Sequence, residues 1–228
     1  MYSVLFSKIE FGMDLVLEPL KKVVKPNSKV AIFPWAFPSE ITSEEFENNY
    51  FQIDGRRYSK YFNELKKLGI NKKNIIICSP YKDTKKELQE IIKNSDILLF
   101  PGGNPEMFFK KVLHDTELIY DFKYYKGIVI GESAGTELQL KRYFITSKNN
   151  YYEYFAFYDG FGLIDNDFFI DVHTQDNIDY LNELKEYANK TKSNIYAIFD
   201  DGALIYNRKT NNIEQFGNIK IIEPNNND

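Results

Sequence analysis

Short β-rich apolar runs alternate with longer amphipathic stretches along almost the whole of this chain. Few folds accept that pattern. A strand buried on both faces reads as a continuous apolar run, and parallel neighbours need a crossover helix between them. The pattern predicts strands at Tyr2–Ser7, Lys29–Phe33, Asn74–Cys78, Asp96–Phe100, Gly127–Ile130, Phe168–Val172, Ile195–Phe199, Ala203–Tyr206 and Ile219–Ile222. It predicts helices at Asp14–Val24, Arg57–Leu68, Thr84–Lys93, Pro105–Leu113, Ala134–Leu140 and Asn177–Lys190. Near Thr84, Asp83 or Thr84 can cap a helix whose Leu88, Ile91 and Ile92 share one face. The expected fold class is therefore α/β: a single three-layer domain, a mostly parallel sheet with helices on both faces. Asp200-Asp201-Gly202 reads as a turn between two antiparallel strands.

No repeat and no Ser/Gly linker divides the 228 residues, so one domain over 1–223 is expected, with 224–228 a frayed tail. Pro38–Gly55 is polar and reads as a long loop or lid, and the aromatic Lys148–Tyr158 sits in loop context. Composition excludes several classes of function. A 43% hydrophobic content with 27% charged residues is globular. A net charge of −4 argues against nucleic acid as a partner. Runs such as Ile97–Phe100 fall far short of the roughly 20 apolar residues of a membrane span. The N-terminus lacks the basic segment and apolar core of a secretion signal, and Cys78, the single cysteine, has no partner for an intrachain disulfide. A cytoplasmic protein is expected. Cys78 lies in an apolar strand and reads as a buried structural thiol. There is no HExxH, CxxC, P-loop or dinucleotide fingerprint, so neither metal nor cofactor is expected.

Gly131-Glu132-Ser133-Ala134-Gly135 follows a strand and opens a helical stretch. This is G-x-S-x-G in the strand–turn–helix setting that gives it meaning: a serine on a strained elbow, its hydroxyl above the sheet, small residues letting the backbone bend. The N–H of Ala134 then faces developing negative charge. Pro101-Gly102-Gly103-Asn104-Pro105 follows another apolar strand, and Gly103 can bring an N–H close to a ligand as the second oxyanion donor. Both motifs fall at the carboxyl ends of strands, where ligands of open α/β sheets bind. Only two histidines exist. His173 ends a strand and is the expected base for Ser133; His114 reads as a helix-end or exposed residue. The acid that orients His173 has candidates in Asp171, Asp176, Asp200 and Asp201, with Asp201 preferred and Asp200 in reserve. The order Ser, His, acid differs from that of α/β-hydrolases, where the acid precedes the histidine.

FPGGNPEMF, GESAG, DVH and IFDDGALIY together resemble the peptidase E (aspartyl dipeptidase) and cyanophycinase family of serine peptidases, whose fold is similar to class I glutamine amidotransferases. The resemblance covers nearly the whole chain. It implies a peptidase that cleaves a small peptide through an acyl-enzyme on Ser133, with His173 as base and acid, Gly103 and Ala134 as oxyanion donors, and the family's late acid at Asp201. The expected substrate contacts are Gly102, Asn104, Glu132, Thr174 and Gln175. The family's Glu is replaced here by Asp, Thr136 follows GESAG where a smaller residue is common, and the segment after His173 has no Arg. A preference for aspartate would need a cation, and Lys141 and Arg142 are the cations a helix-length from Ser133. The expected partner is a small peptide substrate, with at most a second copy of the chain as homodimer, and neither nucleic acid nor membrane. The alternative reading is a non-catalytic amidotransferase-like module binding a ligand at the same rim.

Overall fold

The computed structural model describes residues 1–37, 40–50, 56–113, 115–146 and 155–225. The expected sheet is there. β1 (Tyr2–Phe6), β5 (Ile128–Glu132), β4 (Ile97–Phe100), β2 (Val30–Ile32) and β3 (Ile75–Ile77) lie side by side and parallel. Antiparallel strands extend the other edge: β9 (Ile195–Asn207) pairs with β1, and β10 (Asn212–Ile222) pairs with β9. β8 (Phe169–Val172) runs parallel to the first part of β9 and completes an eight-stranded sheet.

Side-chain alternation sorts the core into two layers. Leu5, Ala31, Leu98, Phe100 and Val129 face one side. Val4, Phe6, Val30, Ile32, Ile97, Leu99, Ile128 and Ile130 face the other. α1 (Ile9–Lys21) and α3 (Arg56–Lys67) cover the second face through Met13, Val16, Tyr61 and Leu65. α4 (Lys85–Asn94), α5 (Pro105–Leu113) and α6 (Thr116–Lys123) cover the first through Leu88, Phe108 and Phe122. Each such aliphatic or aromatic side chain contributes roughly 1.5–3 kcal/mol on full burial, so the period-2 pattern fixes the register. Thr84 caps α4 in a capping box with Glu87, as its sequence suggests. α8 (Ile178–Thr191) packs Tyr180, Leu184 and Ala188 against Ile195, Ala197 and Phe144.

Four expectations are corrected. β9 has no turn at Asp200–Gly202. It is one 13-residue strand, and the hairpin turn lies beyond it, between Asn207 and Asn212. The reason is β10, which pairs along β9 on both sides of Gly202, with a bulge between Gly217 and Ile219. Within Pro38–Gly55, residues Ser43–Tyr50 form α2, held by Phe46 and Tyr50, one helical turn apart and buried with Phe37. The short α6 was not expected. Nor was the two-stranded sheet of β6 (Arg142–Ile145) and β7 (Ala156–Asp159). His114, residues 38–39 and 51–55 of the expected loop, 148–154 of the aromatic segment and 226–228 of the tail lie outside the described residues. No helix of the described residues is long and apolar enough to cross a membrane.

The sheet makes one unusual junction. β1 runs against β9 and β8 runs with it, so their carboxyl ends converge on the middle of β9. β5 and β4, parallel to β1, end beside them.

Candidate active site

Ser7, the first residue after β1, stitches this junction together. It is fully buried; its Oγ donates to the carbonyl of Ile198 at 2.7 Å and accepts the N–H of His173 at 3.0 Å. His173 is held at φ 57, a left-handed conformation that a non-glycine residue adopts only when its surroundings enforce it. That corner turns the imidazole away from β8 and toward the end of β5.

Ser133 begins the short helix α7 (Ala134–Glu137) with φ 49 and ψ −116. Its N–H is tied to the carbonyl of Phe6 at 2.8 Å, and the carbonyl of Ser133 accepts from Thr136 and Glu137. The small neighbours are obligatory: a Cβ on Gly135 would stand 1.8 Å from the carbonyl oxygen of Phe100. Thr136 is buried with its hydroxyl at 3.0 Å from the N–H of Phe6, which it accepts, and so pins the elbow to β1. The strain of the elbow is thus sustained by β1 and β4 together.

The consequence is a continuous relay. Ser133 Oγ lies 3.0 Å from His173 Nε2, and His173 Nδ1 lies 2.7 Å from Asp200 Oδ1. The other oxygen of Asp200 pairs with Lys8 at 2.7 Å. Partial burial works to raise the Asp200 carboxyl, but the hydrogen bonds from Lys8 and His173 outweigh it and hold the group below the usual carboxylate range. The acid beside His173 is therefore Asp200 and not Asp201. Alternation along the uninterrupted β9 sends the two side chains to opposite faces, and Asp201 is exposed.

Gly102 and Gly103 close the rim from the end of β4. Gly103 has φ 144, and a Cβ there would overlap the carbonyl oxygen of Ala36 at 1.6 Å, so only glycine fits. These residues, with Ser133 and His173, line a cavity of about 870 Å³. Gln175 also lines it. Asn104 and Thr174 are turned elsewhere. The Asn104 side-chain oxygen Oδ1 caps α5 by accepting from the N–H groups of Glu106 and Met107. The Thr174 hydroxyl donates to Asp171 at 2.6 Å. Lys141 pairs with Asp165 and Arg142 stands over the Phe157 ring, both away from the cavity.

The cavity's cations come from residues the sequence reading passed over: Lys8 at the head of α1, and Arg57 and Lys60 on α3. Lys60 is bracketed by Glu10 at 2.8 Å and Glu132 at 2.5 Å. Glu132 is 4% exposed, and three donors converge on it: Lys60, the Ile9 N–H at 3.1 Å and the Tyr61 hydroxyl at 2.7 Å. It faces the cavity, yet its carboxylate anchors α1 and α3. Burial alone would lower Lys60, but its two carboxylates raise it, so it stays charged. The signal for Ser7 was its place at a strand's carboxyl end. Nothing local could announce Lys60, because its direction depends on how α3 docks. Among the described residues no group of three or more His, Cys, Asp or Glu is placed to hold a metal ion.

Comparisons with known proteins agree with this architecture. The structure is similar, at TM-score 0.64 and 16% identity, to a protein of Listeria monocytogenes EGD-e assigned to peptidase E, covering 94% of this chain and 96% of that one. It is similar at TM-score 0.65 and 17% identity to a peptidase from an acI-B1 actinobacterium, covering 99% and 91%. In sequence, 112 residues are 31% identical to a cobyrinate a,c-diamide synthase of Methanocaldococcus jannaschii, covering 42% of this chain and 24% of that protein. The chain thus spans about a quarter of that curated relative's length. The profile of peptidase family S51 matches residues 53–213, a span that holds Ser133, His173 and Asp200 together with the glycines of the rim, and the chain belongs to that family.

Proposed function

We propose that this peptidase is a serine peptidase that cleaves small peptides, dipeptidase-like, through an acyl-enzyme on Ser133. The observation that carries the reading is the unbroken relay from Ser133 Oγ through both nitrogens of His173 to Asp200, mounted on a serine at φ 49. In the first step Ser133 Oγ bonds to the scissile carbonyl carbon while His173 Nε2 takes the hydroxyl proton. Asp200, itself held by Lys8, stabilises the imidazolium that results. The carbonyl oxygen gains the negative charge and is received by the N–H groups of Gly103 and Ala134. His173 returns its proton to the leaving nitrogen as the C–N bond breaks, and the amine departs. Water then attacks the ester carbonyl, giving one proton to His173, and Ser133 regains its proton as the acid leaves.

Labelling with a fluorophosphonate probe tests this. The wild type is expected to label at Ser133, and both Ser133→Ala and His173→Ala are expected not to. A well-folded wild type that does not label would sink the reading in favour of a binding module at the same rim. The choice of acid has its own test. Asp200→Asn is expected to lower kcat about 10⁴-fold with little change in folding, because the wrong tautomer of His173 is then favoured. Asp201→Asn is expected to leave kcat within about twofold, since its exposed side chain lies on the other face. Equal losses in a peptide-hydrolysis assay would refute the assignment.

A further inference from the structure

Glu137 sits one helical turn beyond Ser133, its N–H bonded to the Ser133 carbonyl at 3.1 Å. Asp171 sits two residues before His173 on β8. The chain spacing that presents the nucleophile and base at the rim therefore brings two carboxyls into the same cavity, immediately beside them. We propose that Glu137 and Asp171 form a subsite that binds a protonated amine or guanidinium of the substrate.

Several observations carry this. Glu137 is 6% exposed, and what remains faces the cavity. Among the described residues no hydrogen-bond donor reaches its carboxyl. A buried carboxyl without a partner is costly unless a ligand completes it. Asp171 has only neutral donors, the hydroxyls of Thr174 and of Tyr180 at 2.7 Å. Phe144, Ile145 and Val172 add apolar surface to the same cavity wall, which suits a methylene stem. Among the described residues, the cavity carries more acid than base. It is lined by five carboxylates, counting these two, against three Lys or Arg side chains. Lys8 is engaged by Asp200, and Lys60 by Glu10 and Glu132. A substrate carboxylate placed here would meet repulsion; an ammonium would meet two acceptors in a low-dielectric site.

The protonation chemistry follows. Burial, with Asp171 nearby, pushes Glu137 up to about 8. Burial pushes Asp171 up to about 7 against the pull of Thr174 and Tyr180, and Glu183 on α8 adds to the rise. The pair thus retains a proton at neutral pH, with His173 the next titratable group along β8. An incoming cation displaces that proton.

Two parts of a peptide could supply the cation: the free α-amino group, or a basic side chain on the residue acylated. Calorimetric titration of Ser133→Ala separates them and does not depend on turnover. Three ligands are compared at pH 7.5: leucine amide (α-ammonium only), N-acetyl-lysine amide (side-chain ammonium only) and N-acetyl-leucine amide (neither). At least one ammonium ligand is expected to bind about tenfold or more tighter than the uncharged one, as expected for a hydrogen bond to a buried charge. The advantage is expected to vanish when Glu137→Gln is added. Net proton release on binding, read from heats in buffers of different ionisation enthalpy, is expected to be smaller in Glu137→Gln than in its parent, because only Asp171 then remains to give up a proton. Equal affinity for all three ligands, or an ammonium advantage that survives Glu137→Gln, would overturn the proposal. The subsite's part in specificity rests on the serine-peptidase reading. The two fail separately: equal binding removes the subsite, whereas absent probe labelling removes the acyl-enzyme.

Discussion

Two glutamates flank Ser133, and burial treats them very differently. Glu132 precedes the serine at the end of β5, and Glu137 follows it at the end of α7. Both are more than nine-tenths buried, and both line the same cavity. Glu132 is met by an ammonium, a phenol and a helix N–H. Among the described residues Glu137 meets no donor, and burial pushes it to about 8. One carboxylate therefore holds two helices on the sheet, and the other is left for whatever enters the cavity. Burial does not decide whether an acid is structural; the donors around it do.

The sharpest break in this comparison comes from pH. A carboxyl whose pKa rises on folding from its ordinary value near 4.5 to about 8 binds a proton that the unfolded chain has released. Stability must then fall as pH rises between those values, and the penalty is complete above about 8. Glu137→Gln removes that titration. Relative to the wild type, the variant is expected to gain on the order of 3–5 kcal/mol between pH 5 and pH 9. Asp171 titrates in both proteins and largely cancels. Urea unfolding at pH 5, 7 and 9 measures the difference, and parallel profiles would show that Glu137 ionises freely.

The Glu132 side breaks in the opposite sense. Lys60→Met leaves Glu132 with two neutral donors and Glu10 without its ammonium. Removing one partner of a buried pair costs about 3–5 kcal/mol, and the partial exposure of Lys60 reduces that to about 2 kcal/mol. Unlike the Glu137→Gln effect, this is a loss, expected at neutral pH. A change below about 0.5 kcal/mol in chemical denaturation at pH 7 would mean that Ile9 and Tyr61 suffice.

How far these features could be read from sequence varies by residue for physical reasons. Ser133, Gly103 and His173 were legible because each sits at a strand's carboxyl end, a position that local patterning sets. Asp200 was not. Choosing between adjacent acids requires knowing that β9 is continuous, and its continuity comes from pairing with β10 rather than from its own residues. Asn104 and Thr174 looked like substrate contacts by nearness in the chain, but a helix cap and a buried acid engage them instead. Glu137 and Lys60 were illegible for another reason. The carboxylates around Lys60 come from α1 and β5, both distant in sequence from α3. Glu137 is covered by nearby β6 and by the more distant β8 and α8, and a glutamate in a short helix looks solvent-facing until those elements cover it. The two unexpected helices are eight residues each, near the lower limit of what periodicity can reveal.

The smallest effect tests whether the donors around Glu132 act as a unit. The Tyr61 hydroxyl gives its proton to Glu132 at 2.7 Å. Tyr61→Phe is expected to cost about 1–2 kcal/mol, the worth of one hydrogen bond to a charged acceptor. Were the donors independent, the same cost would appear in the Lys60→Met background. They share one carboxylate in a low-dielectric site, so losing the ammonium makes the remaining donors matter more. The cost of Tyr61→Phe is therefore expected to rise by about 0.5–1 kcal/mol when Lys60 is already gone. Additivity in the double-mutant cycle would mean that Glu132 sheds its charge once Lys60 is removed. Glu132 would then have become, in the variant, the kind of buried neutral acid that Glu137 is in the wild type.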